Sequence, residues 1–540
     1  MEQWNFYLSG ILYGVLEKRN SRVYHRPLDV YTGRLEDWQE LKSGDGWYRE
    51  LGKMDVLEAL LGLEDYESGV RGCAGGTDGC KRFMTPRGEL YEKKDTDAYV
   101  QRNIKFPKDL ILESGTIAAF VTPYRDQCAV LVRDGLEDRT ILKQWADMNQ
   151  SPLYAVKPPI TVMIPMRDQV RLAADIYLPA PAATAGNSGN PAPEKMPERI
   201  PAVLIRTPYG KSAGASSYFR FVQRGYAVII QDVRGREDSE GEWLPMYYEV
   251  EDGDDTLTWI GAQTWSDGNV GMTGGSYLGY VQWAAAASGN PYLKAMLSNV
   301  CAGSPFIDVP RRGGCFNSGM LAWAFMVSGQ RANPLLMARE DWDEVLNIRP
   351  LEELAPKALG YDIPFLKKWF QHMDYDELWQ RGNWKERTKS HRVPALIMSG
   401  WFDDNGMGTT EALDLYHDYH EKKVILGLKQ VIQKGRDRTL ALGSRDSDNL
   451  IPEALEKHLC LRQYTAPVFI FRPLQDNARA FKYNIVIIHT FLVIRAGMPH
   501  RTVLRQGSRI LQIRYVQNFI CSQPPEDIPG GLSFSAITQK

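Results

Sequence analysis

Three short stretches carry residue types that can do chemistry together. The first is GMTGGSYLGY, residues 271–280, where Ser276 stands between a glycine pair and Tyr277-Leu278-Gly279. A G-x-S-x-G elbow sets a serine on a sharp strand-to-helix turn. Its Oγ is exposed there, and the next backbone N–H faces the oxygen of a reacting carbonyl. Here Gly274 fills the first glycine position, but Leu278 stands two after the serine and the second glycine comes one later, at 279. A serine after a glycine turn is also an ordinary helix N-cap, so Ser276 reads either as a nucleophile or as a cap. The second stretch, RTPYGK at 206–211, offers Tyr209 as an O–H donor to an oxyanion, or as a surface turn residue. The third, SGWFDDNG at 399–406, puts Asp403 and Asp404 just past an apolar run. A carboxylate there orients a histidine that activates a serine, or simply caps the next helix. Asp403 is the better placed of the two.

These stretches need a scaffold that brings them to one edge, and the pattern from 160 onward supplies it. ITVMIPMRDQVRLAADIYLPA reads as a hairpin, followed by a Pro/Ala/Gly-rich surface loop. PAVLIRT (201–207), YAVIIQD (226–232), LKAMLSN (293–299), VPALIMSG (393–400) and KVILG (423–427) are short continuous apolar runs. Helical patterns separate them: SSYFRFVQRG, EDGDDTLTWIGAQ, YLGYVQWAAAASG and TTEALDLYHDYHEKK. Buried strands alternating with helices indicate a mostly parallel sheet covered on both faces, with ligands taken at the strands' C-terminal ends. Residues 303–390 break the rhythm, rich in Trp, Met and Leu and helical in pattern, and read as an inserted cap. The expected division is a small α+β domain of unknown role at 1–155, an α/β domain at 156–302 and 391–427, the cap at 303–390, and an irregular region at 428–540.

The bulk properties exclude several classes of function. The 540 residues suggest about three units at roughly 100–200 residues per domain. A net charge of −2 gives no footprint for a nucleic-acid partner. No apolar run reaches the ~18 residues that a membrane span needs, and the N-terminus has no basic segment before its apolar residues. A cytoplasmic location is the default expectation, with no membrane partner. Seven cysteines at scattered positions, without C-x-x-C, predict neither a disulfide framework nor a zinc site. No cofactor or metal is expected.

Taken together and in order, the segments resemble the CocE/NonD family of serine hydrolases, the cocaine esterase and X-prolyl dipeptidyl-peptidase type. The segments are IPMRDQVRLAADIYLP, RTPYGK, RGYAVIIQDVRGREDSEGEW, EDGDDTLTWIGAQTWSDGNVGMTGGSYLG, HMDYDELW and VPALIMSGWFD, over about 160–427. In this family the elbow reads G-x-S-Y-x-G, as residues 274–279 do. The resemblance implies an α/β-hydrolase fold and cleavage of an ester or amide, on a small acyl or peptidyl substrate, through an acyl-enzyme on Ser276. It makes the Tyr277 N–H and the Tyr209 hydroxyl the oxyanion hole, and Asp403 the triad acid. Some members carry an acid directly after the Ser-Tyr pair to bind a free α-amino group. Leu278 stands there in this chain, which favours ester or acyl substrates.

The family's histidine lies in a G-P-W-x-H segment after the strand that follows the acid. In this chain that slot holds Val431, after Gly427. His458 is the nearest later histidine, and no motif supports it. The family's C-terminal jelly-roll domain is expected to be missing or disrupted, because only 113 residues follow Gly427 and they do not alternate. The expectation is a reading-frame change or truncation in the coding sequence. The rival expectation is accordingly a catalytically impaired hydrolase-fold protein or a disrupted gene product. Oligomeric state is not legible.

Overall fold

The computed structural model describes residues 2–74, 81–102, 106–124, 127–148, 153–182, 197–312, 314–388, 393–400 and 423–427, with short strands between 468 and 513. Strands β1 (Ile160–Pro165), β2 (Arg171–Tyr177), β3 (Ile200–Thr207), β4 (Ala227–Asp232), β5 (Ser266–Ser276), β6 (Leu293–Cys301), β7 (Ala395–Gly400) and β8 (Lys423–Gly427) form one sheet. Its order is β1-β2-β4-β3-β5-β6-β7-β8. The hairpin β1–β2 and the β2–β4 pair are antiparallel. All pairs from β4 through β8 are parallel. This order, with one antiparallel hairpin at the edge, is an α/β-hydrolase sheet.

The apolar runs explain why the sheet forms. Because strand side chains alternate, β3 sends Ala202 and Leu204 into one core and Val203 and Ile205 into another. β4 does the same with Ala227 and Ile229 against Val228 and Ile230. Both faces must then be covered, and helices do it. Helix α1 (Glu249–Gly261) and helix α2 (Tyr277–Ala287) lie against the first core. The helix expected from SSYFRFVQRG is a 3-10 turn, Ala215–Tyr218, running into a short helix, Phe219–Val222.

Residues 303–390 are helical as the pattern suggests. Helix α3 (Ser318–Met326) starts on an Asn317 cap whose side chain accepts from the Gly319 N–H. Helix α4 (Pro364–Gln371) has proline in its first turn, where the missing N–H costs nothing. It buries Phe365, Leu366, Trp369 and Phe370 on one face. With Trp323, Trp379 and Trp384 these side chains join the same core as Tyr277 and Val281. The cap therefore shares its interior with the layer of α1 and α2. Arg236, fully buried, ties the two: its guanidinium donates to the Pro208 carbonyl at 2.9 Å, the Val327 carbonyl at 3.0 Å and the Gly329 carbonyl.

The N-terminal residues combine helices with one large sheet. Their strands form a single eleven-stranded sheet, antiparallel at every pair. Helices Trp47–Gly52, Val56–Leu61 and Leu63–Ala74 cover one face, and Leu142–Met148 packs on the other. The seam with the hydrolase sheet is hydrogen-bonded. The Tyr13 hydroxyl donates to Gln223 Oε1 at 2.5 Å, and the Val156 N–H donates to the Val30 carbonyl at 2.9 Å.

Cys73 is disulfide-bonded, where the sequence led us to expect no such framework. In the stretch 428–540, read from sequence as irregular, the described residues form five short strands. Three of these, Val468–Pro473, Tyr483–Ile488 and Val493–Arg495, extend the hydrolase sheet beyond β8 in antiparallel fashion. Asp403, Asp404, Val431 and His458 lie outside the described residues, as does the helix expected from TTEALDLYHDYHEKK up to residue 422.

Candidate active site

β5 ends and α2 begins at one residue, Ser276, with φ 58° and ψ −120°. A non-glycine residue there is strained by about 1–3 kcal/mol and persists only where its surroundings force it. Those surroundings are visible. Gly274 has φ 145°, and a Cβ on it would fall 2.4 Å from the Leu278 Cβ. A Cβ on Gly279 would meet Cys301 Cα at 3.0 Å and the Asn299 carbonyl oxygen at 3.3 Å, where the first turn of α2 crosses β6. Both glycines of the narrow G-x-S-Y-x-G pattern are thus explained. Leu278 fills the space that Gly274 leaves, and Gly279 admits the neighbouring strand. Buried Gln282 clasps the turn, its Nε2 donating to the Gly274 carbonyl at 3.1 Å and the Leu278 carbonyl at 2.9 Å.

The Tyr277 side chain points away from the turn into a buried charged cluster. Its hydroxyl donates to Glu249 Oε1 at 2.8 Å and accepts from the Met246 N–H at 2.9 Å. Burial, then the Glu249 charge, raises its pKa well above the ordinary phenol value, so it stays a neutral anchor. Any role in oxyanion binding falls to its backbone N–H. Fully buried Arg206, the last-but-one residue of β3, pairs with Glu249 Oε2 at 2.7 Å and approaches Asp252 Oδ2 at 3.9 Å. Its Nε donates to Gln231 Oε1 at 2.7 Å. Arg234 continues the chain of charges to Asp252 at 2.6 Å and Asp168 at 2.7 Å. Burial raises the pKa of both Glu249 and Asp252 despite these partners.

Tyr209 sits on the loop after β3. The indole Nε1–H of Trp323, from α3 of the cap, donates to its hydroxyl at 3.0 Å. An indole N–H only donates, so the phenol oxygen is the acceptor and its own proton points elsewhere. The Trp323 ring also lies near-parallel to Tyr277, with centroids 5.9 Å apart and 16° between planes. One cap residue thus touches both residues expected to form the oxyanion hole. The loop is pinned from below. The Lys211 N–H donates to Asp232 Oδ1 at 2.6 Å, and its ammonium pairs with Asp232 at 3.5 Å and with Asp238.

Asp232 gives this loop a pH dependence. Burial pushes its carboxyl up to about 6, against the pull of Lys211. Between about pH 4 and pH 6 the fold holds a proton that the unfolded chain has released. Its contribution to stability is therefore full below about pH 4 and is lost as pH rises through 6, a change on the order of 3 kcal/mol. Urea unfolding of Asp232→Asn between pH 4 and 7 is expected to lack this fall. An unchanged slope in that variant refutes the assignment.

The structure brings Ser276 and Tyr277 together at the elbow and ties Tyr209 to the same cap residue that packs on Tyr277. The expected acid, Asp403, belongs to the chain directly after β7, beyond what is described. Among the described residues only two histidines are placed, and both are committed elsewhere. His25 lies in the N-terminal domain with its Nδ1 at 3.1 Å from the Tyr48 hydroxyl. His372 follows α4 and pairs with Asp376 at 2.5 Å. Sequence reading passed over Arg206, Glu249, Gln282 and Trp323. Arg206 did leave a signal, as a charge inside an otherwise apolar strand, which is tolerated only when paired.

Known proteins resemble the same stretch of the chain in part. A model of the X-Pro dipeptidyl-peptidase (S15) family matches residues 168–436. Cocaine esterase of Rhodococcus sp. (strain MB1 Bresler) is 37% identical over 266 residues, 45% of this chain and 43% of the esterase. The chain thus spans less than half the length of that relative. Two solved structures overlap it in part. An aminopeptidase from a marine sediment Thaumarchaeota archaeon covers 50% of this chain and 47% of its own, with 23% identity and a TM-score of 0.39. A CocE/NonD family hydrolase from Staphylococcus aureus covers 54% and 56%, with 18% identity and a TM-score of 0.34. The ordered motifs, the elbow and the family match fall on the same stretch: residues 168–436 of this chain match the X-Pro dipeptidyl-peptidase (S15) family.

Proposed function

We propose that this protein is a serine hydrolase that cleaves an ester or amide bond of a small acyl or peptidyl substrate, through an acyl-enzyme on Ser276. The observation that carries the reading is the strained turn at Ser276, φ 58° and ψ −120°, at the head of α2. A capping serine has no need of that conformation, since caps adopt relaxed extended angles. In the proposed reaction the Ser276 oxygen adds to the substrate carbonyl. The Tyr277 N–H and the Tyr209 hydroxyl stabilise the oxyanion, the leaving group departs, and water releases the acid. Asp403 orients the base that takes the serine proton, and no cofactor takes part. Leu278, in place of an acid, favours ester or acyl substrates over those with a free α-amino group.

The location is proposed as the cytoplasm, although the Cys73 disulfide is more at home in an oxidising compartment. Among the described residues no helix is long and apolar enough to cross a membrane.

A second reading has its own support, because Val431 occupies the family's histidine slot. Without a base the serine keeps a high pKa and is a poor nucleophile. The chain would then be an impaired hydrolase-fold protein or a disrupted gene product. A fluorophosphonate probe separates the two. Labelling of the folded protein that disappears in Ser276→Ala supports the hydrolase. Absence of labelling in protein that melts cooperatively supports the impaired form.

A further inference from the structure

We propose that the seam between the N-terminal sheet and the hydrolase domain binds a small organic cation, an alkylammonium or quaternary ammonium compound, in a cavity of about 360 Å³. That volume lies within the usual span for small-molecule sites, roughly 300–1,000 Å³. It is lined by Tyr13, Tyr31, Trp47 and Phe219, with Asp29 and Glu36 beside them. Tyr31 and Phe219 meet edge-on across the seam with centroids 6.2 Å apart, and Tyr13 and Trp47 approach to 6.1 Å. No lysine or arginine among the described residues lines it. Arg26 binds the Glu36 backbone carbonyl rather than its carboxylate, at 2.7 Å. Among the described residues the Asp29 carboxylate accepts from the Tyr31 N–H at 2.9 Å and the Thr32 hydroxyl at 2.8 Å, neither of them a cation.

Aromatic faces carry negative charge density and attract a cation held against them. Two carboxylates add Coulomb attraction and would repel an anion. A cation with an apolar surface answers both features, whereas a neutral apolar ligand answers only the rings. The Tyr13 hydroxyl is already occupied by Gln223 at 2.5 Å, so the floor is set before any ligand arrives. No lining residue belongs to the elbow or to the Tyr209 loop, and the proposal stands whether or not Ser276 is a working nucleophile.

The test is calorimetric titration of the full chain with choline and with benzyltrimethylammonium. 3,3-Dimethylbutanol serves as the uncharged isostere of choline. Saturable binding of both cations is expected, at least tenfold tighter than the alcohol. Tyr31→Ala and Glu36→Gln are each expected to weaken it about tenfold, a typical worth for a cation–ring or exposed charge contact. Tyr31 is 49% exposed and Glu36 lies on the surface, so both variants should fold, which thermal melts check. Binding should survive in Ser276→Ala. No saturable binding, equal binding of the alcohol, binding unchanged in both folded variants, or loss of binding in Ser276→Ala overturns the proposal.

Discussion

Ser276→Gly is expected to give a protein more stable than the parent by about 1 kcal/mol and to abolish fluorophosphonate labelling and hydrolysis. Two effects set the stability change. Glycine adopts φ 58° without the Cβ penalty of about 1–2 kcal/mol that an L-residue meets in the left-handed region. It loses some of that gain through the greater freedom of the unfolded chain, about 0.5–1 kcal/mol. The activity change is far larger, because removing the nucleophile of such a triad costs on the order of 10⁴–10⁶ in rate. Ser276→Ala should lose activity equally without gaining stability, since alanine keeps the Cβ. Urea unfolding of the three proteins side by side checks this. If glycine and alanine are equally stable, the turn is not strained and Ser276 loses the observation that marks it as a nucleophile. The stability arm holds even in a chain that lacks its base.

The second large effect is at Arg206. Arg206→Met is expected to destabilise the protein by about 3–5 kcal/mol, the usual cost of leaving buried charges unpaired. The substitution strands Glu249 and leaves Asp252 to Arg234 alone, and burial already pushes both carboxyls upward. Loss of Arg206 pushes them further, so the deficit should be greatest at neutral and alkaline pH and shrink as the pH falls and protonation removes the stranded charge. The double variant Arg206→Met/Glu249→Gln should recover a large part of the loss, because glutamine still accepts from the Tyr277 hydroxyl and carries no charge. Urea midpoints of wild type, both single variants and the double close the cycle. Strictly additive losses would show that the Arg206–Glu249 contact at 2.7 Å contributes nothing of its own.

The sequence made the hydrolase sheet legible because its strands are buried on both faces. Such strands are written as unbroken apolar runs, and PAVLIRT, YAVIIQD and KVILG reappear as β3, β4 and β8 within a residue or so. The elbow was legible because the glycine spacing records contacts on both sides of Ser276. The N-terminal sheet was not. Strands such as Leu90–Asp95, LYEKKD, carry charges on their outward face and look like loop when read singly. They become strands only by pairing with neighbours that no local pattern reveals. The charged cluster behind Tyr277 was invisible for a related reason. Its members come from positions 206, 234, 249 and 252 and from Asp168 at a hairpin turn, and only the fold assembles them. Trp323 lies 114 residues from Tyr209, so their hydrogen bond leaves no local trace.

That last bond links the cap to the residue proposed as oxyanion donor. With the indole in place, the Tyr209 proton has only one side left on which to act. If α3 lifts away, water reaches the phenol oxygen and the proton is free to turn. On the proposed function, the contact that seats the cap is then also the one that orients the donor.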